Sequence, residues 1–170
     1  QLVAAGVGLG LLLALLRLGY RRLELLAVPF LLLTVLLLLA VLVPGVGRTA
    51  GGARRWIDLG IVSFQPAEAA KVALVLWLAR SLDRQREKVR LFSVGFLPHA
   101  LVTGAMVLLV LAERDLGTAV LLALLLLAML FAAGAKVGYL LGALLLAAPI
   151  VWRAVAGTPY RMARWIAFLD

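Results

Sequence analysis

Long uncharged apolar stretches are the feature that most constrains this chain. Residues 25–43, 91–112 and 116–135 hold 19, 22 and 20 residues without a Lys, Arg, Asp or Glu. A helix needs roughly 20 apolar residues to cross the hydrocarbon core of a bilayer. The mean hydropathy of +1.13 and the hydrophobic content of 65% agree with such spans. The sequence therefore predicts a membrane protein with at least three spanning helices.

Three further apolar segments, residues 2–16, 66–79 and 137–152, are shorter or interrupted by charge. We count them as spans because packed neighbouring helices and Arg side chains that reach the interface can absorb a length mismatch. The predicted fold is an all-α, polytopic transmembrane helical bundle with six spans. Because the chain opens at Gln1 without a Met, we interpret residues 1–170 as a single transmembrane domain from a longer protein.

The charge balance of the chain limits its partners. Seventeen Lys and Arg against eight Asp and Glu give a net charge of +9, and most of these charges lie between the apolar segments. That arrangement suits anionic lipid head groups or phosphates better than nucleic acid, which needs a soluble basic face. The absence of Cys excludes a disulfide framework, a Cys metal site and a thiol nucleophile.

Basic residues in alternate connections predict the orientation. One set of connections holds nine Lys and Arg, and the other, which contains residues 44–65, holds seven. An excess of basic residues usually marks the cytoplasmic side, so we place the second set outside. Residues 44–65 begin with PGVGRTAGG, whose Gly and Pro disfavour regular structure. Arg and Asp then mix with aromatic and aliphatic residues, which predicts an outer interfacial loop.

Glu68 and Lys71 are the charged residues that lie inside a predicted span. Charges at this depth are usually paired, face a polar cavity, or both. Their spacing puts them on one helical face, where they could simply neutralise each other, and Glu68 also suits the positive end of the helix dipole after Pro66. Gln65 adds an amide at the start of the same helix. Together these groups could hold a phosphate or a sugar hydroxyl.

Arg54 and Arg55 offer cationic groups in the connection before this helix. Guanidinium geometry suits bidentate phosphate binding, so either residue could bind an anionic head group. Interfacial anchoring beside Trp56 explains either residue alone at least as well. The choice between the two interpretations stays open on the sequence.

Another polar connection, ERDLGT, follows the span at residues 91–112. Asp115 precedes the next span and is expected as its N-cap. Glu113 beside Arg114 is expected to form a surface ion pair of little energetic weight. His99 has no second His or carboxylate at ligand spacing, so we predict a structural role for it and not a metal ligand.

Four short motifs mark the polar connections: RRWIDLG at residues 54–60, FQPAEAAK at 64–71, DLGTA at 115–119 and RMARWIAFLD at 161–170. Together they resemble the SEDS family, the RodA and FtsW group of bacterial cell-wall polymerases. Ser63 stands where Arg is frequent in that family, so a phosphate contact there must come from another group. The run RWIDLGIVSFQP favours the elongation-type RodA branch over the FtsW branch.

The resemblance implies a multi-pass glycosyltransferase of the bacterial inner membrane that polymerises lipid II into glycan strands during cell elongation. This chain would hold roughly the second to the seventh transmembrane helices. An acceptor hydroxyl would attack the anomeric carbon of the donor, and undecaprenyl diphosphate would leave. The family's proton-accepting Asp is expected beyond Asp170, so no catalytic residue is assigned within the chain.

The substrate-binding residues that the resemblance implies are Glu68, Lys71, Gln65, Arg55 and Asp115. Lys71 would bind phosphate or position the substrate, and Glu68 would orient Lys71 or the substrate. A divalent cation, Mg or Mn, could shield the diphosphate, although no ligand cluster in the sequence identifies a metal site. The implied partners are a class B penicillin-binding protein, which cross-links the new strand, and membrane lipids.

Two other classes of function remain open on the sequence. A transporter or flippase of lipid-linked cell-wall precursor would also use charged residues that line a membrane cavity. Such a protein would move lipid II between leaflets without lengthening it. A scaffold that recruits other proteins through its outer connections would tolerate neutralisation of the charges inside the span.

Overall fold

A computed structural model of the chain describes residues 20–50, 53–58, 60 and 63–156, together with Gly6, Leu9 and Gly10. These residues contain five long helices: α1 (Tyr20–Leu42), α2 (Pro66–Arg84), α3 (Leu97–Ala112), α4 (Leu116–Ala132) and α5 (Val137–Ala156). The expected span at residues 2–16 lies almost wholly outside the described residues, and the motif at 161–170 lies wholly outside them. The predicted helical bundle is confirmed in outline by the five helices, and the count of six spans stays a prediction.

Three stretches in the described residues are long and apolar enough to cross a membrane: Arg21–Leu42, Phe92–Ala112 and Val137–Ala154. The second joins a π-helical turn, Phe92–Phe96, to α3. Helix α4 is apolar but shorter, at Leu116–Ala132. Side chains such as Leu145, Leu146 and Ile150 on α5 are largely exposed, as lipid-facing residues are. The structure thus describes a chain suited to pass through a bilayer several times.

Helix α2 packs against α1 and α4, and α4 packs also against α3. The face of α2 that is buried carries Ala67, Ala70 and Ala73. Small side chains at a helix contact let the backbones approach closely, which is how membrane helices gain dispersion contacts without a hydrophobic driving force. Leu74 and Leu78 continue this face and are fully buried. The charged N-terminal turn of α2 is therefore fixed by the packing of the rest of the helix.

The connection between α1 and α2 contains a small antiparallel sheet, which corrects the predicted irregular loop and the strictly all-α fold. Its strands are β1 (Gly47–Ala50), β2 (Ala53–Asp58) and β3 (Ser63–Phe64), in the order β1-β2-β3. Near a membrane, backbone N–H and C=O groups that leave a helix still need partners, and a local hairpin supplies them. The Gly and Pro residues end α1 and shape the turn before β1, but they do not prevent pairing beyond it.

The sheet is tied to α1 by Arg54. Its Nη1 donates to the carbonyl oxygen of Leu42, the last residue of α1, with 3.1 Å between the two atoms. That carbonyl is one of those that a helix leaves unpaired at its C-terminus. Gly47 lies so close to α1 that an added Cβ would overlap the carbonyl oxygen of Val41. Arg54 therefore has a structural contact. Arg55, in contrast, reaches the connection between α3 and α4.

The two ends of the bundle are joined by different contacts. At one end Arg84 Nη2 lies 2.8 Å from Glu24 Oε1, and Arg80 Nη1 donates to the Glu24 carbonyl oxygen at 3.0 Å. At the other end lie the sheet, the start of α2 and the connection between α3 and α4. This separation matches the predicted alternation of connections. The predicted substrate-binding residues all belong to the second end.

His99 is buried between helices, with both ring nitrogens in contact with a polar atom. Nδ1 lies 2.6 Å from the Gly95 carbonyl oxygen, and Nε2 lies 2.9 Å from Ser81 Oγ. The ring also contacts that of Trp77, with 5.3 Å between centroids. These contacts link α3 to α2 and fit the structural role predicted for His99.

Candidate substrate-binding site

Gln65 and Asp115 form the centre of the candidate site. Gln65 Nε2 donates to Asp115 Oδ2 at 3.1 Å. Asp115 also accepts from the backbone N–H of Thr118 at 3.1 Å and from Thr118 Oγ1 at 2.9 Å, which is the N-cap geometry predicted for α4. Asp115 is nearly buried. The structure thus confirms the cap and adds a contact with Gln65 that the sequence did not predict.

Arg55 reaches the same connection from β2. Its Nη2 donates to the Arg114 carbonyl oxygen at 2.6 Å. Its Nε is buried and has no hydrogen-bond partner among the described residues. Arg114 has a φ of 63°, an uncommon conformation for a residue with a side chain, and this contact helps to hold it. Of the predicted residues, Arg55 thus contacts the backbone of Arg114, and Asp115 directly follows Arg114 in the chain.

Glu113 is the residue of this site that the sequence analysis missed. The expected surface pair with Arg114 is wrong, because Glu113 has no exposed surface and neither of its carboxyl oxygens has a hydrogen-bond partner in the described part of the chain. Burial raises the pKa of the Glu113 carboxyl to about 8; the Asp115 carboxylate adds to the rise, and the Arg55 guanidinium partly offsets it. The sequence signal that could have indicated this burial is the position of Glu113 directly after the long apolar segment at residues 91–112.

Glu68 and Lys71 pair with each other in the first turns of α2. Lys71 Nζ lies 2.7 Å from Glu68 Oε2, and the side chains are 27% and 58% exposed, respectively. Pro66 occupies the first turn, and the Glu68 N–H donates to the Gln65 carbonyl oxygen at 3.0 Å. The predicted pairing is confirmed. A cavity that the pair would line stays a prediction.

The pair and the Gln65–Asp115 contact lie at the same end of α2. Gln65 is the N-cap of that helix, and Lys71 is about 9 Å further along its axis. The site therefore combines two cations, Arg55 and Lys71, with amide and carboxylate groups. Such a set can bind phosphate oxygens through the cations and hydroxyl groups through the amide and carboxylates.

No set of three or more His, Cys, Asp or Glu side chains that could hold a metal occurs among the residues that the structure describes. Mg²⁺ takes six oxygen ligands, and several of them are often waters, so the two acids Glu113 and Asp115 do not by themselves identify a metal site. We therefore assign no metal ligand, and the divalent cation remains a prediction.

A groove of about 330 Å³ lies at the opposite end of α2 and α4. Its rim carries the charged residues Asp83 and Arg86, and its walls are apolar, with Leu82 and Met129 among them. None of the predicted substrate-binding residues lines it. The groove is therefore distinct from the candidate site.

Comparison with known proteins gives this cluster a family context. The family model FTSW_RODA_SPOVE, described as "Cell cycle protein", matches residues 1–170. A probable peptidoglycan glycosyltransferase FtsW of Geobacter sp. (strain M18) is 47% identical over 144 residues, which are 85% of this chain and 39% of the relative. The protein of the same description from Geobacter sulfurreducens is 40% identical over 170 residues, covering all of this chain and 46% of the relative.

Two solved structures are similar as well. Rod shape determining protein RodA of Thermus thermophilus gives a TM-score of 0.71 at 40% identity, over 86% of this chain and 48% of that one. A chain from "Structural coordination of polymerization and crosslinking by a peptidoglycan synthase complex" gives 0.72 at 40% identity, over 98% of this chain and 49% of that one. The chain thus spans less than half the length of each of these proteins.

Proposed function

Because the chain belongs to the FtsW, RodA and SpoVE family, we propose that the full-length protein is a peptidoglycan glycosyltransferase that polymerises lipid II into glycan strands. The observation that carries this proposal is the cluster of Arg55, Gln65 and Asp115, joined across two connections at the same end of α2 as the Lys71–Glu68 pair. Relatives 40–47% identical to the chain bear the description of that activity.

The proposed reaction forms a glycosidic bond and releases a diphosphate. The acceptor hydroxyl oxygen bonds to the anomeric carbon of the donor, a carboxylate base takes its proton, and the bond from that carbon to the diphosphate oxygen breaks. Undecaprenyl diphosphate then leaves with the bonding electrons. Positive charge near the departing diphosphate lowers the barrier because negative charge develops there.

Each predicted residue has a role in this scheme. Arg55 and Lys71 supply the positive charge, with Glu68 orienting Lys71 through their 2.7 Å ion pair. Gln65 and Asp115 offer a donor and an acceptor for sugar hydroxyl groups. We assign the proton-accepting base to none of these residues; it is expected in the part of the protein beyond Asp170. A divalent cation, Mg or Mn, would add to the charge stabilisation.

The proposed setting is the bacterial inner membrane, with a class B penicillin-binding protein as partner. Lipid II and undecaprenyl diphosphate both carry long isoprenoid chains, so an enzyme that uses them needs a site at the membrane surface. The similarity to a chain from a peptidoglycan synthase complex supports a partner that cross-links the strand. The exposed apolar helices α1 and α5 support a multi-pass protein.

The elongation-type RodA role is the finer part of the proposal. It depends on the run RWIDLGIVSFQP and on the similarity to Thermus thermophilus RodA, whereas the curated relatives above are described as FtsW. Complementation distinguishes the two. We expect the full-length gene to restore rod shape to cells depleted of RodA, whereas rescue of septation in cells depleted of FtsW would assign the division branch instead.

The activity is tested with the full-length protein in vesicles and labelled lipid II. We expect glycan strands longer than the disaccharide unit, resolved on a gel. The same vesicles report transport when lipid II is placed in one leaflet only. Movement of lipid II to the other leaflet without any lengthening would contradict the polymerase and support the transporter.

A further inference from the structure

Glu113 is a buried carboxyl group to which the proposed reaction gives no role. Its side chain has no exposed surface, and its two oxygens lack hydrogen-bond partners among the described residues. An ionised carboxylate without partners is very costly to bury, whereas a protonated carboxyl group is neutral and costs far less. The surroundings of Glu113 therefore favour the protonated acid.

The charged groups near Glu113 come from several elements. Asp115, at the start of α4, and Arg55, on β2, act on its carboxyl group with opposite sign. Arg114 lies between the two acids, and its carbonyl oxygen accepts from Arg55. On α2, which packs against α4, Lys71 and Glu68 balance each other in an ion pair. Ionisation of Glu113 thus makes the net charge near Arg55 more negative by one unit.

We propose that Glu113 is a positioning residue that acts in its neutral, protonated form and leaves the charge of Arg55 available for the diphosphate group of the substrate. This inference depends on the proposed function. With Glu113 neutral, its carboxyl group adds no negative charge near Arg55, and the carboxylate of Asp115 is already engaged by Thr118 and Gln65. With Glu113 ionised, a second carboxylate joins that of Asp115 near Arg55, and the added negative charge weakens the attraction for a further anion.

The direction of the pH effect follows from the carboxyl group. Because burial raises the pKa of Glu113 to about 8, the group is mostly protonated at neutral pH and ionises as the pH rises further. Between about pH 7 and about pH 9 the protonated fraction falls about tenfold. Affinity for a diphosphate should weaken over that interval by up to the same factor.

The test uses the full-length protein with labelled lipid II at about pH 7 and about pH 9. For the wild type we expect KM to rise severalfold at the higher pH, with a smaller change in kcat. Glu113→Gln has nearly the same shape and cannot ionise, so we expect a KM close to the neutral-pH wild-type value at both pH values. Glu113→Ala also removes the packing contacts of the side chain, so we expect it to raise KM at both pH values.

Two results would overturn the inference. One is a KM that rises equally in the wild type and in Glu113→Gln. The other is a Glu113→Gln variant that is folded, by its melting temperature in detergent, yet has lost substrate affinity at neutral pH, since the ionised form would then be required.

A binding measurement keeps the inference testable without either variant. Affinity of the wild type for undecaprenyl diphosphate should fall severalfold from about pH 7 to about pH 9, and an unchanged affinity would overturn the inference. The proposed function is contradicted by a different result, namely that the wild type makes no polymer at either pH. In that case the inference is overturned as well, because it depends on the reaction.

Discussion

The side-chain amide of Gln65 donates a hydrogen bond to the carboxylate of Asp115, 50 positions away, with 3.1 Å between Nε2 and Oδ2. Gln65 is the N-cap of α2 and Asp115 is the N-cap of α4, so the bond joins the N-termini of two packed helices. Both helices direct the positive ends of their dipoles to this point. The contact therefore places polar groups, Arg55 and two helix dipoles at one end of the bundle.

Asp115 should contribute its negative charge to activity and its oxygen to the helix cap. Asn is as good an N-cap as Asp, so we expect Asp115→Asn to change the free energy of unfolding by less than about 0.5 kcal/mol, whereas Asp115→Ala should cost about 1 kcal/mol. Polymerisation of lipid II should fall about tenfold or more in both variants, because hydrogen bonds to a charged acceptor are roughly twice as strong as neutral ones. Full activity in Asp115→Asn would show that Asp115 acts only as a helix cap.

Lys71 should matter for activity and little for folding. Its ion pair with Glu68 is partly exposed, and pairs of this kind contribute about 1 kcal/mol or less. We expect Lys71→Ala to melt within a few degrees of the wild type while polymerisation of labelled lipid II becomes undetectable. Lys88→Ala, an exposed residue at the opposite end of the bundle, is the matched control. A normal polymer yield from Lys71→Ala would remove Lys71 from the site.

Glu113 should make the stability of the protein depend on pH. Its pKa is raised by burial from 4.5 to about 8, so its protonated form favours the folded state. That contribution is complete below about pH 4.5 and is lost as the pH rises to about 8, at a cost of up to a few kcal/mol. Melting temperatures in detergent should therefore fall over this range in the wild type and fall less in Glu113→Gln. An equal fall of melting temperature with pH in the two proteins would contradict a raised pKa for Glu113.

Gly95 should be sensitive to a single methyl group. It is buried in the π-helical turn before α3, where an added Cβ would overlap the carbonyl oxygen of Val89. We expect Gly95→Ala to destabilise the protein by about 1–3 kcal/mol, because the backbone must move to relieve the overlap. Gly104→Ala is the control. Nothing lies within 4 Å of an added Cβ there, so this change in α3 should be neutral or stabilising by up to about 1 kcal/mol. Equal melting temperatures for the two variants would refute the close contact.

The helices were predictable from the sequence to within a few residues. The segment expected at 25–43 is the helix Tyr20–Leu42, and the one expected to begin at residue 116 does begin there. Hydrophobic runs and caps are local signals, which explains the agreement. The sheet was missed because strand pairing between Arg48 and Trp56 depends on the path of the backbone and not on the glycines around it.

What the sequence by itself determined is the set of apolar helices, the N-cap at Asp115, the pairing of Glu68 with Lys71 and the family motifs. Each of these depends on residues close together in the chain. Only the tertiary structure brought Gln65 to Asp115, Arg55 to the Arg114 carbonyl and Glu113 into the interior. These contacts arise because the packing of α2 against α4 brings residues 50 or more positions apart within hydrogen-bonding distance, and no local pattern encodes that distance.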